Sequence, residues 1–258
     1  AEGGVNCAGC HAPDAAKAGE PAAILAAWTD RPDTSACRDC HRAETKTFVL
    51  GKHGMRGHPK IAKPRDPAKR LKALGLDGVA PDSLVAALAD PPPPEKMTVD
   101  EADRPMRADA AHLAVDCGSC HRSHDVDLVR ASVDACAGCH ADEHTKAYFE
   151  SAHFARFQAE QAGDAPPGAG VSCATCHMPK SEAGDRIRTN HNQNDVLRPN
   201  EKMIRPVCLA CHSLGFAIDA LADPDLVARN FTGRPAAHIP SIDWAARRVK
   251  ADGQGANQ

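Results

Sequence analysis

The sequence predicts a mainly α fold with much irregular structure, organised around bound groups rather than a protein interior. Three observations carry that expectation. The pattern Cys-x-x-Cys-His occurs six times and uses all twelve cysteines. Aromatic residues make up only 3% of the 258 residues, little for the core of so long a chain. Apolar residues recur at helical spacing in several stretches, whereas period-two alternation is scarce.

The copies are Cys7-Ala-Gly-Cys10-His11, Cys37-Arg-Asp-Cys40-His41, Cys117-Gly-Ser-Cys120-His121, Cys136-Ala-Gly-Cys139-His140, Cys173-Ala-Thr-Cys176-His177 and Cys208-Leu-Ala-Cys211-His212. Two thiols and a following histidine at this spacing are the attachment signature of c-type haem. The thiols add to the vinyl groups, and the histidine is placed to ligate the iron. Zinc sites use paired Cys-x-x-Cys but do not require a histidine after every second cysteine. A disulfide framework would use spacings across the fold rather than six identical local pairs. A thioredoxin-like motif occurs once in a βαβ unit. The expected cofactors are therefore six covalent haems c, and the expected fold is a multihaem cytochrome c fold. Six apolar macrocycles would supply the buried surface the aromatics do not. The haem-free chain is expected not to fold stably, as with metal domains that unfold when empty.

The elements follow in order. The Ala-rich stretch Pro21–Trp28 predicts a short helix. Two more are predicted at Pro67–Leu74 and Pro81–Ala89, before the stiff run Pro91-Pro92-Pro93-Pro94 and an acidic segment. These features suggest a two-haem lobe over residues 1–90, a linker over 91–112 and a four-haem lobe over 113–258, or one compact body with an excursion. The longest predicted helix is Asp142–Gln161, with Ala147, Phe149, Phe154 and Phe157 near helical spacing. Another is predicted at Leu214–Arg229, and the polar end from Lys250 is expected to fray.

Fourteen histidines are present. The motif histidines His11, His41, His121, His140, His177 and His212 are the expected proximal ligands. The eight others supply the second axial positions. His53, His124, His153 and His191 lead, followed by His112 and His144; His58 and His238, in Pro-adjacent loops, rank last. His124, three residues after His121, cannot cross the ring His121 holds, so it is expected to serve a neighbour. The reach of His153 from His140 also suits an adjacent haem. Met178 cannot cross its own haem, and Met55, Met97, Met106 and Met203 are read as packing or loop residues.

The formal net charge is −3, and haem propionates would make the loaded protein distinctly acidic. Between Gly51 and Gly75 lie Lys52, Arg56, Lys60, Lys63, Arg65, Lys69, Arg70 and Lys72 against the single acid Asp66. That stretch reads as a solvated or propionate-neutralising face, or as a docking patch for an acidic redox partner. Nucleic acid is not an expected partner, since basic residues are not interleaved with aromatics. No run is long enough to span a bilayer. Ala1-Glu2-Gly3-Gly4 reads as a mature start after signal-peptide cleavage, which places the expected protein in the periplasm or outside the cell.

The later half resembles the superfamily of pentahaem ammonia-forming nitrite reductase and octahaem hydroxylamine oxidoreductase. The resemblance covers roughly residues 117–215. It rests on Cys173-Ala-Thr-Cys176-His177-Met178-Pro179-Lys180, on Thr189-Asn190-His191, on Cys208-Leu-Ala-Cys211-His212-Ser213 and on Ser151-Ala-His153. It implies closely stacked haem pairs in a mainly helical body, with His153 and His191 as distal ligands. The catalytic Cys-x-x-Cys-Lys of the nitrite reductases has no counterpart here, and Tyr148, the only tyrosine, is not at the family's active-site position. The likeness therefore carries fold without activity. Two functions are expected. The first is an electron carrier between a donor and an acceptor redox protein, acting alone, within a respiratory complex or in a longer array. The alternative is a reductase or oxidase of small nitrogen or sulfur compounds such as nitrite or hydroxylamine, which needs one open iron.

Overall fold

The computed structural model describes residues 6–32, 34–58, 97–98, 104–110, 114–122 and 124–240, together with Gly75 and Gly78. The helices predicted at Pro67–Leu74 and Pro81–Ala89, the proline run, most of the basic stretch, His112 and the end from Lys250 lie outside these residues. Among the described residues the chain is mainly helical, with short helices, long irregular connections and little strand.

The chain divides into two compact units, one formed by Ala1–Ala102 and Ala111–Asp127, the other by Asp103–Ala110 and Leu128–Gln258. The first unit contains α1 (Cys7–His11), α2 (Pro13–Ala18), α3 (Pro21–Ala26), α4 (Thr34–Arg38), α5 (Arg42–Phe48) and α6 (Cys117–Cys120). Pro13 and Pro21 each open their helix at a position where a missing N–H costs nothing. Strands β1 (Met97–Thr98) and β2 (Ala114–Val115) pair antiparallel and lead into α6. The third motif thus sits with the first two, whereas the grouping suggested by sequence put it with the later three. There Cys117 neighbours Cys37 and Thr34 across the long gap in sequence.

The second unit contains α7 (Leu128–Ser132), α8 (Asp134–Ala137), α9 (Glu143–Tyr148), α10 (Ala152–Ala162), α11 (Cys173–His177), α12 (Leu214–Leu221) and α13 (Pro224–Ala228). Two predicted helices are each split in two. The stretch Asp142–Gln161 breaks at Ser151, whose hydroxyl oxygen accepts from the Phe154 amide and starts α10 afresh. The stretch Leu214–Arg229 breaks at Asp223-Pro224. Proline cannot continue a helix, and the Asp223 carboxylate accepts from the Leu226 amide to cap α13. An antiparallel hairpin, β3 (Lys180–Ala183) with β4 (Arg186–Thr189), was not expected from the sequence; Gly184 at its tip has φ +67°.

Burial is sparse. The largest fully buried side chains among the described residues are Leu226 and Val133. A small cluster of Val196, Met203 and Leu221 packs against Leu197, Ile204, Val207 and Phe231, and also against the thiol-bearing Cys176 and Cys208. The apolar interior of this unit is therefore built onto two of the Cys-x-x-Cys-His segments. Tyr148 is buried too, and its hydroxyl donates to the Val171 carbonyl at 2.8 Å. From α10 the Glu160 carboxylate accepts from the Gly168 amide at 2.7 Å and the Gly170 amide at 2.5 Å, tying down the loop that enters α11. A side chain at Gly170 would collide with that carboxylate.

Leu226→Ala is expected to cost about 2–5 kcal/mol, because it opens a void where the chain has few other large buried residues. A denaturant midpoint unchanged in this variant would show that Leu226 does not anchor the unit. Ser172→Ala, which removes the cap of α11, is expected to cost about 1 kcal/mol in the same measurement.

Candidate functional site

Every Cys-x-x-Cys-His segment closes one helical turn. In four of them the histidine amide donates to the carbonyl of the first cysteine: His41 to Cys37 at 2.9 Å, His121 to Cys117 at 2.9 Å, His140 to Cys136 at 2.8 Å and His212 to Cys208 at 2.9 Å. The other two lie within helices, Cys7–His11 and Cys173–His177. Residues three and four apart share one face of such a turn. The turn therefore presents both thiols and the imidazole together. Local sequence starts it at three sites. Asn6 accepts from the Gly9 amide, Asp116 from Ser119 and Ser172 from Thr175, and the last two are full capping boxes.

The turns are neighbours within each unit. In the first, the neighbouring Cys117 thiol raises the Cys37 pKa and Cys37 lowers that of Cys117 to about 7; Cys10 lies close enough to Cys37 to be felt electrostatically. In the second, Cys136 and Cys173 are neighbours, and each shifts the other, Cys136 upward and Cys173 downward. Burial pushes Cys176 up to about 12, and Cys208 lies close by. Within each unit the segments thus lie side by side in chain order: first, second, third, and then fourth, fifth, sixth.

Three motif histidines face a histidine from outside the motifs. The ring centroids of His11 and His124 are 6.0 Å apart, those of His177 and His144 6.2 Å and those of His212 and His153 6.1 Å. Two imidazoles that each give one nitrogen to the same iron, with metal–nitrogen bonds near those of other metal–histidine sites, hold their centroids about 6.3 Å apart. The interplanar angles of 26°, 78° and 69° are all compatible with rotation about such an axis. The separations match that of two axial ligands on one iron, although in the His177–His144 pair the Nε2 of His144 lies 3.0 Å from the Asn230 amide nitrogen.

Neighbouring groups set the rings. The Nδ1 of His11 lies 2.6 Å from the Thr29 carbonyl and that of His144 2.6 Å from the Val227 carbonyl; a carbonyl only accepts, so both nitrogens carry hydrogen and Nε2 keeps the lone pair. Trp28 stacks on His11 at 4.5 Å and 6°, and Phe216 on His212 at 4.8 Å and 24°. His153 is held below the usual histidine range, chiefly by burial and then by His212, and His140 by burial. Both shifts favour the neutral ring a metal needs.

The remaining candidates divide. The Nδ1 of His191 lies 3.0 Å from the Thr189 carbonyl, in a loop where Asn190 donates to Asp195 at 2.8 Å. His238, ranked last on sequence, lies with Nδ1 2.5 Å from the buried Asp219, which also accepts from the Ile239 amide at 2.8 Å. A carboxylate behind a histidine is a common support for a ligand ring. Only tertiary structure could reveal it, since the pair is nineteen residues apart in the chain. His112 lies outside the described residues. Among the described residues no group of three or more His, Cys, Asp or Glu side chains converges to hold a bare metal ion. A haem iron asks the protein for axial ligands only, the porphyrin supplying the rest.

Among the described residues no helix is long and apolar enough to cross a membrane. Comparison with protein-family models, curated proteins and solved structures gives no match.

Asp219→Ala would remove the acceptor of both His238 and the Ile239 amide, and is expected to destabilise the fold by about 2 kcal/mol. An unchanged unfolding midpoint in urea would mean that this buried carboxylate does not hold the 236–239 loop.

Proposed function

We propose that this chain is a hexahaem c-type cytochrome that carries electrons between redox partners through closely spaced, mostly bis-histidine haems. The observation that carries the reading is the set of three imidazole pairs, each joining a motif histidine to a histidine elsewhere in the chain. One motif histidine with one from elsewhere in the chain is the combination that axial pairing on a motif haem would need. The thioether cysteines would be Cys7 and Cys10, Cys37 and Cys40, Cys117 and Cys120, Cys136 and Cys139, Cys173 and Cys176, and Cys208 and Cys211. His11 with His124, His177 with His144 and His212 with His153 would serve as axial ligands.

When bound, a haem supplies one-electron chemistry. The chain's own residues do the rest. The Thr29 and Val227 carbonyls hold the tautomer of two ligand rings. Trp28 and Phe216 fix ring orientation by stacking. Thiol contacts between successive motifs bring the attachment edges of neighbouring groups together, which favours a relay that follows chain order within each unit. Several large apolar side chains outside the small core support a cofactor-organised body; Leu25 is 75% exposed and Leu128 65%. The fold likeness to multihaem nitrite and hydroxylamine enzymes, read from sequence alone, is consistent with such a body. Covalent attachment through these motifs takes place outside the bacterial cytoplasm, so the proposed location is periplasmic or extracellular. The partners would be a donor and an acceptor protein.

A pyridine haemochrome assay and intact mass should give six attached groups per chain; materially fewer would sink the reading. In the holoprotein, His124→Ala and His153→Ala should each turn one low-spin iron high-spin in electron paramagnetic resonance. All six signals remaining low-spin in either variant would reject that pairing.

A further inference from the structure

His144 differs from the other two non-motif partners. No side-chain hydrogen bond engages His124 or His153 among the described residues, whereas both ring nitrogens of His144 are engaged. Its Nδ1 hydrogen goes to the Val227 carbonyl at 2.6 Å, so the lone pair is on Nε2. The side-chain amide of Asn230 lies 3.0 Å from that Nε2 and 3.2 Å from the His144 carbonyl, positioned to donate to both. An iron held by His177 would need the same lone pair that Asn230 uses.

Asn230 is presented by an unusual backbone. It has φ +49° and the following Phe231 has φ +59°, two successive left-handed residues of which neither is glycine. Such a conformation is uncommon for a bulky residue and persists only where its surroundings over-determine it. The Asn230 amide donates to Val227 at 3.1 Å and the Phe231 amide to Leu226 at 2.8 Å, both anchored to α13. The carbonyl that orients His144 thus belongs to the same Val227 that anchors the residue competing for its other nitrogen. The whole device is one corner of chain at the end of a capped helix.

Resting on the haem reading above, we propose that the iron of the fifth motif is an exchangeable site: His144 can leave it and be held by Asn230, and a small neutral ligand such as carbon monoxide or nitric oxide takes the position. The exchange is balanced without any redox partner. With a haem bound there, the ligand would take the iron position that His144 leaves, and the freed His144 Nε2 lone pair would accept the Asn230 hydrogen. The other two pairs have no such acceptor-side alternative for their non-motif histidine. The resting protein keeps its histidine pair and conducts, yet one of its irons opens to a competing ligand.

The test is a carbon monoxide titration of the reduced holoprotein, with the haem count measured on the same samples. The wild type should bind one carbon monoxide per chain. Asn230→Gly keeps the left-handed backbone, which glycine adopts without strain, and removes only the amide. Its carbon monoxide affinity should fall by about tenfold, the effect of one lost hydrogen bond on the displaced state. His144→Ala should bind carbon monoxide at one iron more tightly than the wild type. With six attached groups present, no spectral change in the wild type would overturn the proposal. So would an unchanged affinity in Asn230→Gly, or a His144→Ala protein that binds none. A count below six would instead sink the underlying haem reading, and this proposal with it.

Discussion

Two imidazoles held with ring centroids 6.0–6.2 Å apart constrain everything around them, because each ring must be fixed in distance, rotation and tautomer at once. The protein meets that demand with ordinary means. A single helical turn positions the motif ring. A backbone carbonyl fixes the proton on Nδ1, and an aromatic neighbour limits rotation. Each device is weak alone, worth about 1 kcal/mol, but at His11 all three act on the same side chain.

The same constraint accounts for the sparse interior. A chain that had to stabilise itself through aliphatic packing would bury large side chains in layers. Here the Val196–Met203–Leu221 cluster is small, and it packs directly on Cys176 and Cys208. On the proposed reading the macrocycles complete that interior, and the polypeptide acts as spacer and clamp. The thiol contacts Cys37 to Cys117 and Cys136 to Cys173 then set which cofactors are neighbours. Spacing of this kind determines electron movement more directly than any single side chain does.

On the proposed reading, the corner at Asn230 would separate a conductor from a binding site by very little structure. One amide, aimed at the His144 Nε2, would give a ligand ring a second place to rest. Its left-handed backbone and its tie to α13 make the arrangement specific to this corner. A carrier and an open-iron enzyme can therefore differ by the competition for one lone pair, on one fold.

Sequence alone determined what is local. The six thiol pairs and the helix start at Pro21 depend on residues within one turn of each other, so spacing reads them directly. The breaks at Ser151 and Pro224 were equally local, with a cap and a proline as their signals, yet the apolar periodicity running through both masked them. Tertiary structure decided the pairing. His11 meets His124 only because the chain around the third motif returns to the first two. His238 gains its carboxylate only because the chain after α13 returns to α12. Contacts of that kind are set by how distant segments pack, and the spacing of residues along a chain carries no record of it.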